Sequence, residues 1–597
     1  MPKECHHLTV RLQIEQQRFL NFALESGLLY ADTTLCSQLQ VNRSLLLAVL
    51  AEIKNAFEEC VKTNGKYTKY SSPSVNTVDE HRELETDLTQ LLCAPPEYSQ
   101  ISNQQDETNF KKIRKFGKGI VQSGKNFRTI VVEPKRLIWA TLDKAHFEGL
   151  LNRLADLNSF LIALLDGSQT KRLQHAMDVS YQEILQIRND ITSLTGLLEA
   201  LKIERQTNTN GPDSADNPIT KSAVEESKAQ EGQRRYFQKL TRIKIQLSRL
   251  GGQDGDTVLS TEMELDLKYF KMEDVQEEDE KFMGRINATY KDRPVWIEWK
   301  DIQFFPLSID KAMDEKQEKV ENRIGLLTEL LCGEKPEGFH SPTCLGYVKA
   351  NIEDELRYGI VFEKTTSGDV STIQISTLHE MLQERPKPSL SARMSLCKSV
   401  AECLHSFHAV NWLHKGLRSE NVLFFKPKGG QVDLCHPYVT GFELSRPIDI
   451  EGLTERPGFS PSQDIYRHPL AQSMQGGGKY RKAYDIYSLG IILIEIANWK
   501  GIDMLLGFDK ISSAKPRELR DVHKRLLEEP VHLQRIGSKF GDTFRDAVKV
   551  CLTSDESDKE IEKGESEAFI AMHLQRKLQE DVVRTLRNIE AATRVGK

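Results

Sequence analysis

The sequence predicts two modules of different class, an all-α helical bundle followed by an α+β region. Three observations carry this. Apolar residues recur three and four apart through residues 8–204, the spacing of a buried helix face. Around Val295 the period drops to two, that of a strand. Between the two regions, residues 205–233 are rich in Asn, Asp, Gly and Pro, with Ile219 and Val224 the only sizeable apolar side chains.

At 597 residues the chain is too long for one ordinary core. Hydrophobic residues make up 39% and charged residues 28%, so most of it can fold while polar stretches remain. A net charge of −6 argues against a dedicated nucleic-acid coat. No apolar run approaches the roughly 20 residues a membrane helix needs, and Met1–His7 lacks the apolar core of a secretory signal. The ten cysteines include no C-x-x-C pair, so reduced thiols in a cytoplasmic chain are expected.

The first module is expected over 5–204. Leu46, Val49, Leu50, Ile53, Phe57 and Cys60 line one helix face, and Phe147, Leu150, Leu151, Leu154, Leu157, Leu161 and Leu164 line another. Ile184, Ile187, Ile191, Leu194, Leu198 and Leu201 read as one further seam. Residues 205–233 are expected to be a flexible linker, because they bury too little to offset chain entropy. A helical and acidic connector follows over 234–282. From 283 to 590 the text is mixed. Val295, Ile297 and Trp299 alternate with Trp296, Glu298 and Lys300, and Tyr358–Glu363 reads as a second strand. Val320–Leu331 reads as a helix, and Leu396, Cys397, Val400, Leu404 and Phe407 form another helix face.

One window is more specific. Leu404–Asn421 contains His414-Lys-Gly416-Leu-Arg418-Ser-Glu-Asn421, followed by Val439-Thr-Gly441-Phe442-Glu443, Tyr466-Arg-His-Pro469-Leu470 and Asp485-Ile-Tyr-Ser-Leu-Gly490. In order and spacing these resemble the H-R-D-L-x-x-x-N loop, the D-F-G and A-P-E motifs and the central C-lobe helix of protein kinases. The resemblance implies a bilobal protein-kinase-like fold with degenerate chemistry. In a kinase the first Asp accepts the substrate proton and the second holds Mg²⁺. Gly416 and Gly441 occupy those positions, so neither role can be filled there. Leu470 stands where the A-P-E glutamate would be. The phosphate-covering loop is reduced to a single glycine, Gly284. Lys300, ending Ile297-Glu-Trp-Lys300, would be the phosphate-reaching lysine, with Glu318 or Glu321 as its partner. An exposed lysine ending a strand is the alternative. Together, Lys300 and Asn421 would form a nucleotide pocket that takes ATP without efficient Mg²⁺-dependent turnover, and no metal site is expected. By the same resemblance His414 and Phe442 belong to an apolar ring stack, and Asp485 is the buried carboxylate that orients the loop.

The N-terminal stretch Leu8–Leu29 and the segment Lys135–Leu154 resemble the HeLo domain of fungal prion-inhibition-and-propagation proteins. Known HeLo domains act in heterokaryon incompatibility and regulated cell death, some of them by attacking membranes. Arg11, Glu15, Arg18 and Glu25 depart from an apolar, membrane-inserting first helix. A basic run, Lys111, Lys112, Arg114, Lys115, Lys118, Lys125 and Arg128, has no acid among it and is interleaved with Ile113, Phe116, Ile120 and Phe127. It suits an anionic lipid surface, a solvated loop being the alternative. The combined reading is a signalling pseudokinase with a HeLo-like effector bundle. It would act through other proteins, self-association or an anionic membrane, in fungal self-recognition or regulated cell death, without a specific nucleic acid. Its alternatives are a divergent active kinase, using Glu420 or Glu443, and a passive scaffold.

Overall fold

The structure is a computed structural model that describes residues 6–26, 49–53, 55–56, 144–165, 167–188, 191–207, 218–251, 263–272, 284–299, 321, 324–325, 327–352, 355–364, 373–383, 387–427, 432–442, 445–447, 458–472, 479–556 and 567–594. They fall into two units, Met1–Phe237 and Gln238–Lys597.

The first unit is helical. Helix α1 (His6–Glu25) packs against α2 (Lys144–Ala163), α3 (Gly167–Ile187) and α4 (Ile191–Thr207). Leu8, Val10, Leu12, Ile14, Phe19, Phe22 and Ala23 are all buried, as are the polar Arg11, Glu15, Gln16 and Asn21, so α1 is enclosed around most of its circumference. The charges that interrupt it have polar partners, buried at Arg11 and Glu15 and at the surface for Glu25. Arg11 Nη2 donates to Asn152 Oδ1 on α2 at 2.7 Å. Glu15, with no exposed surface, accepts from Arg18 Nη1 at 3.0 Å and from Asn158 Nδ2 at 2.9 Å. Arg172 Nε on α3 donates to Glu25 at 2.7 Å. A buried charge is tolerated only when paired, so these contacts fix the register of α1 against its neighbours. Val49, Leu50 and Ile53 are also helical and buried.

Two expectations need correction. The seam through Ile184–Leu201 is split, because α3 ends at Ile187, α4 starts at Ile191, and Ile191 is 38% exposed. The segment expected to be a linker is helical from Pro218 onward, in α5 (Pro218–Gly251). Low apolar content measures burial, not backbone preference. Ala223, Glu225, Glu226, Lys228, Ala229, Gln230 and Glu231 are strong helix formers, and proline is favoured at a helix start.

The second unit combines a sheet with helices. Strands β1 (Phe270–Met272), β2 (Arg285–Tyr290), β3 (Arg293–Trp299), β4 (Cys344–Ile352) and β5 (Glu355–Glu363) form an antiparallel sheet in the order β1-β2-β3-β5-β4. The β2–β3 turn places Lys291 and Asp292 at φ 47° and 63°, the left-handed pair that matches the twist of a tight hairpin. Val295, Ile297 and Trp299 fill one face, as their alternation predicts. Trp296 on the other face is buried too, stacked on Phe362 with ring centroids 4.6 Å apart. Both faces of this central strand are therefore covered. The residues described within 321–332 are helical.

Beyond the sheet come β6 (Ile373–Thr377), α6 (Leu378–Gln383), α7 (Leu390–Ala409), β7 (Trp412–Leu413), β8 (Val422–Pro427), β9 (Tyr438–Val439), β10 (Arg446–Pro447) and α8 (Pro461–Asp464). The chain continues through α9 (Lys482–Asn498), α10 (Ile502–Leu505), α11 (Pro516–Glu528), α12 (Pro530–Phe540), α13 (Asp542–Leu552), α14 (Glu567–Lys577) and α15 (Arg584–Arg594). The expected stripe Leu396, Cys397, Val400, Leu404 and Phe407 is buried along α7, which packs on α9 and α15. Helix α9 is buried from Lys482 to Ala497. It is apolar around most of its surface, so an acid in its first turn needs an explanation. Among the described residues no helix is long and apolar enough to cross a membrane.

Candidate functional site

That acid is Asp485. Its Oδ2 accepts the His414 N–H at 2.8 Å, and its Oδ1 accepts the Lys415 N–H and the Tyr480 hydroxyl, both at 2.8 Å. The His408 Nε2 lies 3.3 Å from Oδ2. Burial alone pushes the carboxyl up, but the hydrogen bond and charge of His408, with the His414 backbone bond, outweigh it and hold the group below its ordinary range. Its position at the N-terminal end of α9 favours the same ionised form. Burial drives the His408 imidazole below its usual range despite the carboxylate. Lys482 Nζ donates to the His408 carbonyl at 2.6 Å and to Asn411 Oδ1 at 3.0 Å. Asn411 and Lys415 adopt left-handed backbone, φ 60° and 63°, a conformation that costs a non-glycine residue energy unless its surroundings impose it. Asp485 and Lys482 impose it here.

The loop so held carries His414 into an aromatic column. Phe339 meets Phe407 at 4.4 Å between centroids, and His414 lies 5.8 Å from Phe407 and 5.2 Å from Phe442. Ser445 Oγ donates to the His414 carbonyl at 2.7 Å.

Gly416, Asn421 and Gly441 converge beyond this column. Asn421 Nδ2 donates to the Gly416 carbonyl at 2.7 Å, and the Thr440 N–H donates to the Asn421 carbonyl at 2.8 Å. Gly441 has φ +80°, and a Cβ there would lie 1.9 Å from Asn421 Nδ2. The amide thus occupies the space any side chain at 441 would need. Arg285, the first residue of β2, reaches the same point. Its Nη2 donates to Asn421 Oδ1 at 2.6 Å and to Thr440 Oγ1 at 2.9 Å. Its Nη1 donates to the Glu420 carbonyl at 2.5 Å, and its Nε to Glu298 Oε1 at 2.6 Å. Glu298 Oε2 in turn accepts the Gly441 N–H at 3.3 Å. Sequence reasoning passed over both residues of this pair. Their signal is register, since a hairpin closed at Lys291–Asp292 sets Arg285 opposite Glu298.

The other sequence candidates lie elsewhere. Lys300, Glu318, Glu443 and the basic run Lys111–Arg128 fall outside the described residues. Glu321 is committed to Lys349 Nζ at 3.0 Å and to the Tyr358 hydroxyl at 2.8 Å. Glu420 faces Arg418 at 3.5 Å and His379 at 3.9 Å. Leu470 is 54% exposed. Two clusters carried no sequence signal. Ser419, Tyr466 and Glu495 form a buried chain, with hydroxyl–hydroxyl and hydroxyl–carboxylate distances of 2.7 Å. His468, His523 and Asp555 meet within 4.8 Å. The His468 Nδ1 accepts the Leu470 N–H at 3.2 Å, so Nε2 carries the proton toward Asp555, 3.4 Å away.

Comparison with known proteins gives two family matches and two distant relatives. Residues 1–197 match a family model described as HeLo, prion-inhibition and propagation. Residues 349–590 match one described as a domain of unknown function (DUF7580). The serine/threonine-protein kinase PkaA of Streptomyces coelicolor is 27% identical over 182 residues, covering 30% of this chain and 30% of that protein. The mixed lineage kinase domain-like protein of mouse is 26% identical over 250 residues, covering 38% of this chain and 49% of that protein. The chain therefore spans less than half the length of either relative.

Replacing Asp485 with alanine leaves the buried N–H groups of His414 and Lys415 without an acceptor. We expect a cost of about 1–3 kcal/mol, read as a lower urea midpoint, and an unchanged midpoint contradicts the placement of α9. The second prediction concerns pH. Burial pushes the Glu495 carboxyl up from 4.5 to about 8, so the folded chain holds a proton that the unfolded chain releases. This contribution to stability is complete below the unfolded value and is lost as pH rises through the folded one. Glu495→Gln keeps the acceptor for Tyr466 and Ile502 but cannot ionise. Melting curves should show the variant gaining on the wild type from about pH 5 to about pH 8. A constant difference contradicts the shift.

Proposed function

We propose that the chain is a regulatory pseudokinase joined to a HeLo-like effector bundle, acting by binding rather than by phosphoryl transfer. The HeLo match and the distant similarity to the mixed lineage kinase domain-like protein fit a regulatory role in cell death or self-recognition. The observation that carries the finer reading is the state of the loop around Gly416. The positions that resemble a kinase's packing elements, His414, Phe442 and Asp485, are buried, with the His414 N–H bonded to Asp485 and its ring packed on Phe442. The positions that resemble its two acids are Gly416 and Gly441, and the Asn421 amide oxygen that would face a metal is instead bonded by Arg285. A general base and a metal-ligand carboxylate are both missing where phosphoryl transfer would need them. Nucleotide, if taken up through Lys300, would be a ligand that biases conformation, not a substrate. In this reading the pseudokinase holds or releases the bundle, and the basic run Lys111–Arg128 meets an anionic membrane when released.

The test is incubation of the purified full chain with radiolabelled ATP and Mg²⁺ or Mn²⁺. Losing a base and a metal ligand together costs several powers of ten in rate, so no incorporation above background is expected. Incorporation that disappears in Lys300→Ala overturns the reading. For the membrane arm, binding to vesicles should require anionic lipid and weaken as salt rises. It should be lost when Lys111, Lys112, Arg114 and Lys115 are replaced by Gln, and binding indifferent to lipid charge removes the membrane from the proposal.

A further inference from the structure

The group around Arg285 has a composition unusual for an ordinary ion pair. Its guanidinium touches a carboxylate oxygen of Glu298, the backbone carbonyl of Glu420, the amide oxygen of Asn421 and the hydroxyl of Thr440, all within 2.5–2.9 Å. These are hard oxygen donors of the kind a divalent cation gathers. They come from β3, from the turn that ends the loop, and from the residue before Gly441, so one cation collects three separate segments of the second unit. Asn421 and Thr440 are buried, and the Arg285 and Glu298 side chains are 22% and 12% exposed. The orientation of the Asn421 amide is fixed from both ends, because Nδ2 donates to the Gly416 carbonyl while Oδ1 accepts from the guanidinium. An exposed surface pair has none of this enclosure and little worth.

We infer that Arg285 is a resident cation. Its guanidinium stands in a latent divalent-metal site and fastens the sheet to the Gly416–Asn421 loop without any metal. The charge balance is consistent. A carboxylate at 441 with a bound divalent ion would contribute a net +1, and so does a glycine at 441 with an arginine beside it. That comparison rests on the pseudokinase reading, whereas the oxygen cage itself does not. A fork of donors suits the latch better than a point charge, since Nε, Nη1 and Nη2 each take a different acceptor. Taking the guanidinium away leaves the cage facing a void that Mg²⁺ or Mn²⁺ can fill.

The experiment uses the full chain, without nucleotide. The wild type should melt at the same temperature in EDTA and in millimolar Mg²⁺ or Mn²⁺. Arg285→Ala should melt several degrees lower in EDTA and recover part of the loss when either metal is added. Calorimetric titration with Mn²⁺ should show binding on the order of tenfold tighter to Arg285→Ala than to wild type, and this gain should vanish in Arg285→Ala/Glu298→Gln. Should Arg285→Ala not fold, Arg285→Lys serves. It keeps a cation but loses the fork, so it should melt below wild type and remain indifferent to metal. A merely structural ion pair predicts a lower melting temperature for Arg285→Ala with no metal response, and that result overturns the inference. So does a wild type whose melting temperature climbs with Mg²⁺, or an Arg285→Lys protein indistinguishable from wild type. The outcomes separate from those of the functional reading. A wild type that transfers phosphate yet ignores metal in the absence of nucleotide defeats the pseudokinase and leaves the latch standing. A catalytically silent chain stabilised by Mg²⁺ does the reverse.

Discussion

A buried carboxylate that must stay ionised is the constraint from which the second unit's interior follows. Asp485 has no exposed surface, yet its carboxyl is held below its ordinary range. Desolvation of that charge is tolerable only if several donors meet it at once. The backbone N–H groups of His414 and Lys415 and the Tyr480 hydroxyl do so. Bringing two successive amides onto one carboxylate forces the loop into a conformation it would not hold alone, with Lys415 left-handed. The His414 ring is thereby committed to the Phe407–Phe442 column, and Gly416 to the Asn421 amide. The loop's conformation is set by the buried charge that its amides meet.

The same logic recurs on a smaller scale. Glu15 in α1 is fully buried and met by Arg18 and Asn158, and Arg11 finds Asn152. In each unit, polar residues inside an apolar element set the position of a neighbour more specifically than apolar packing does. The Arg285 network differs in kind, because its acceptors are mostly neutral and its cation reaches them from another element. An enclosed cation bonded to one carboxylate and three neutral oxygens ties separate segments of the unit together.

The helical character of the first unit and the sheet-plus-helix character of the second were legible from periodicity alone. Burial along α7 and at Phe147–Leu154 followed the stripes closely. Two failures have physical causes. The 184–201 seam was read as continuous because i, i+3, i+4 spacing survives a short interruption that keeps phase. The helix beginning at Pro218 is hidden by its polarity, because Ala, Glu, Lys and Gln need no core to favour a helix. Period-two patterning sets Trp296 on the face opposite Val295, Ile297 and Trp299 but cannot tell a strand covered on both sides from one that is half solvated. At the candidate site, His414, Gly416, Asn421, Gly441, Phe442 and Asp485 could be singled out because they lie in spaced motifs. Arg285 and Glu298 could not, since their meaning depends on which residues a hairpin sets opposite each other and on what the loop 120 or more positions later brings to them.

Gly441 also bears on the routes by which such a chain can change over generations. With φ +80° and an Asn421 nitrogen 1.9 Å from where a Cβ would sit, any side chain placed at this position meets both backbone strain and a collision. An aspartate there is useless until Asn421 has turned away, and Asn421 cannot turn while Arg285 holds its oxygen. Gly441, Asn421 and Arg285 are thus coupled, and a change at one is felt at the others. Effects of residues in one contact network do not add, and here the interaction works against any side chain at 441. Position 441 is, in this sense, held to glycine by the side chains around it.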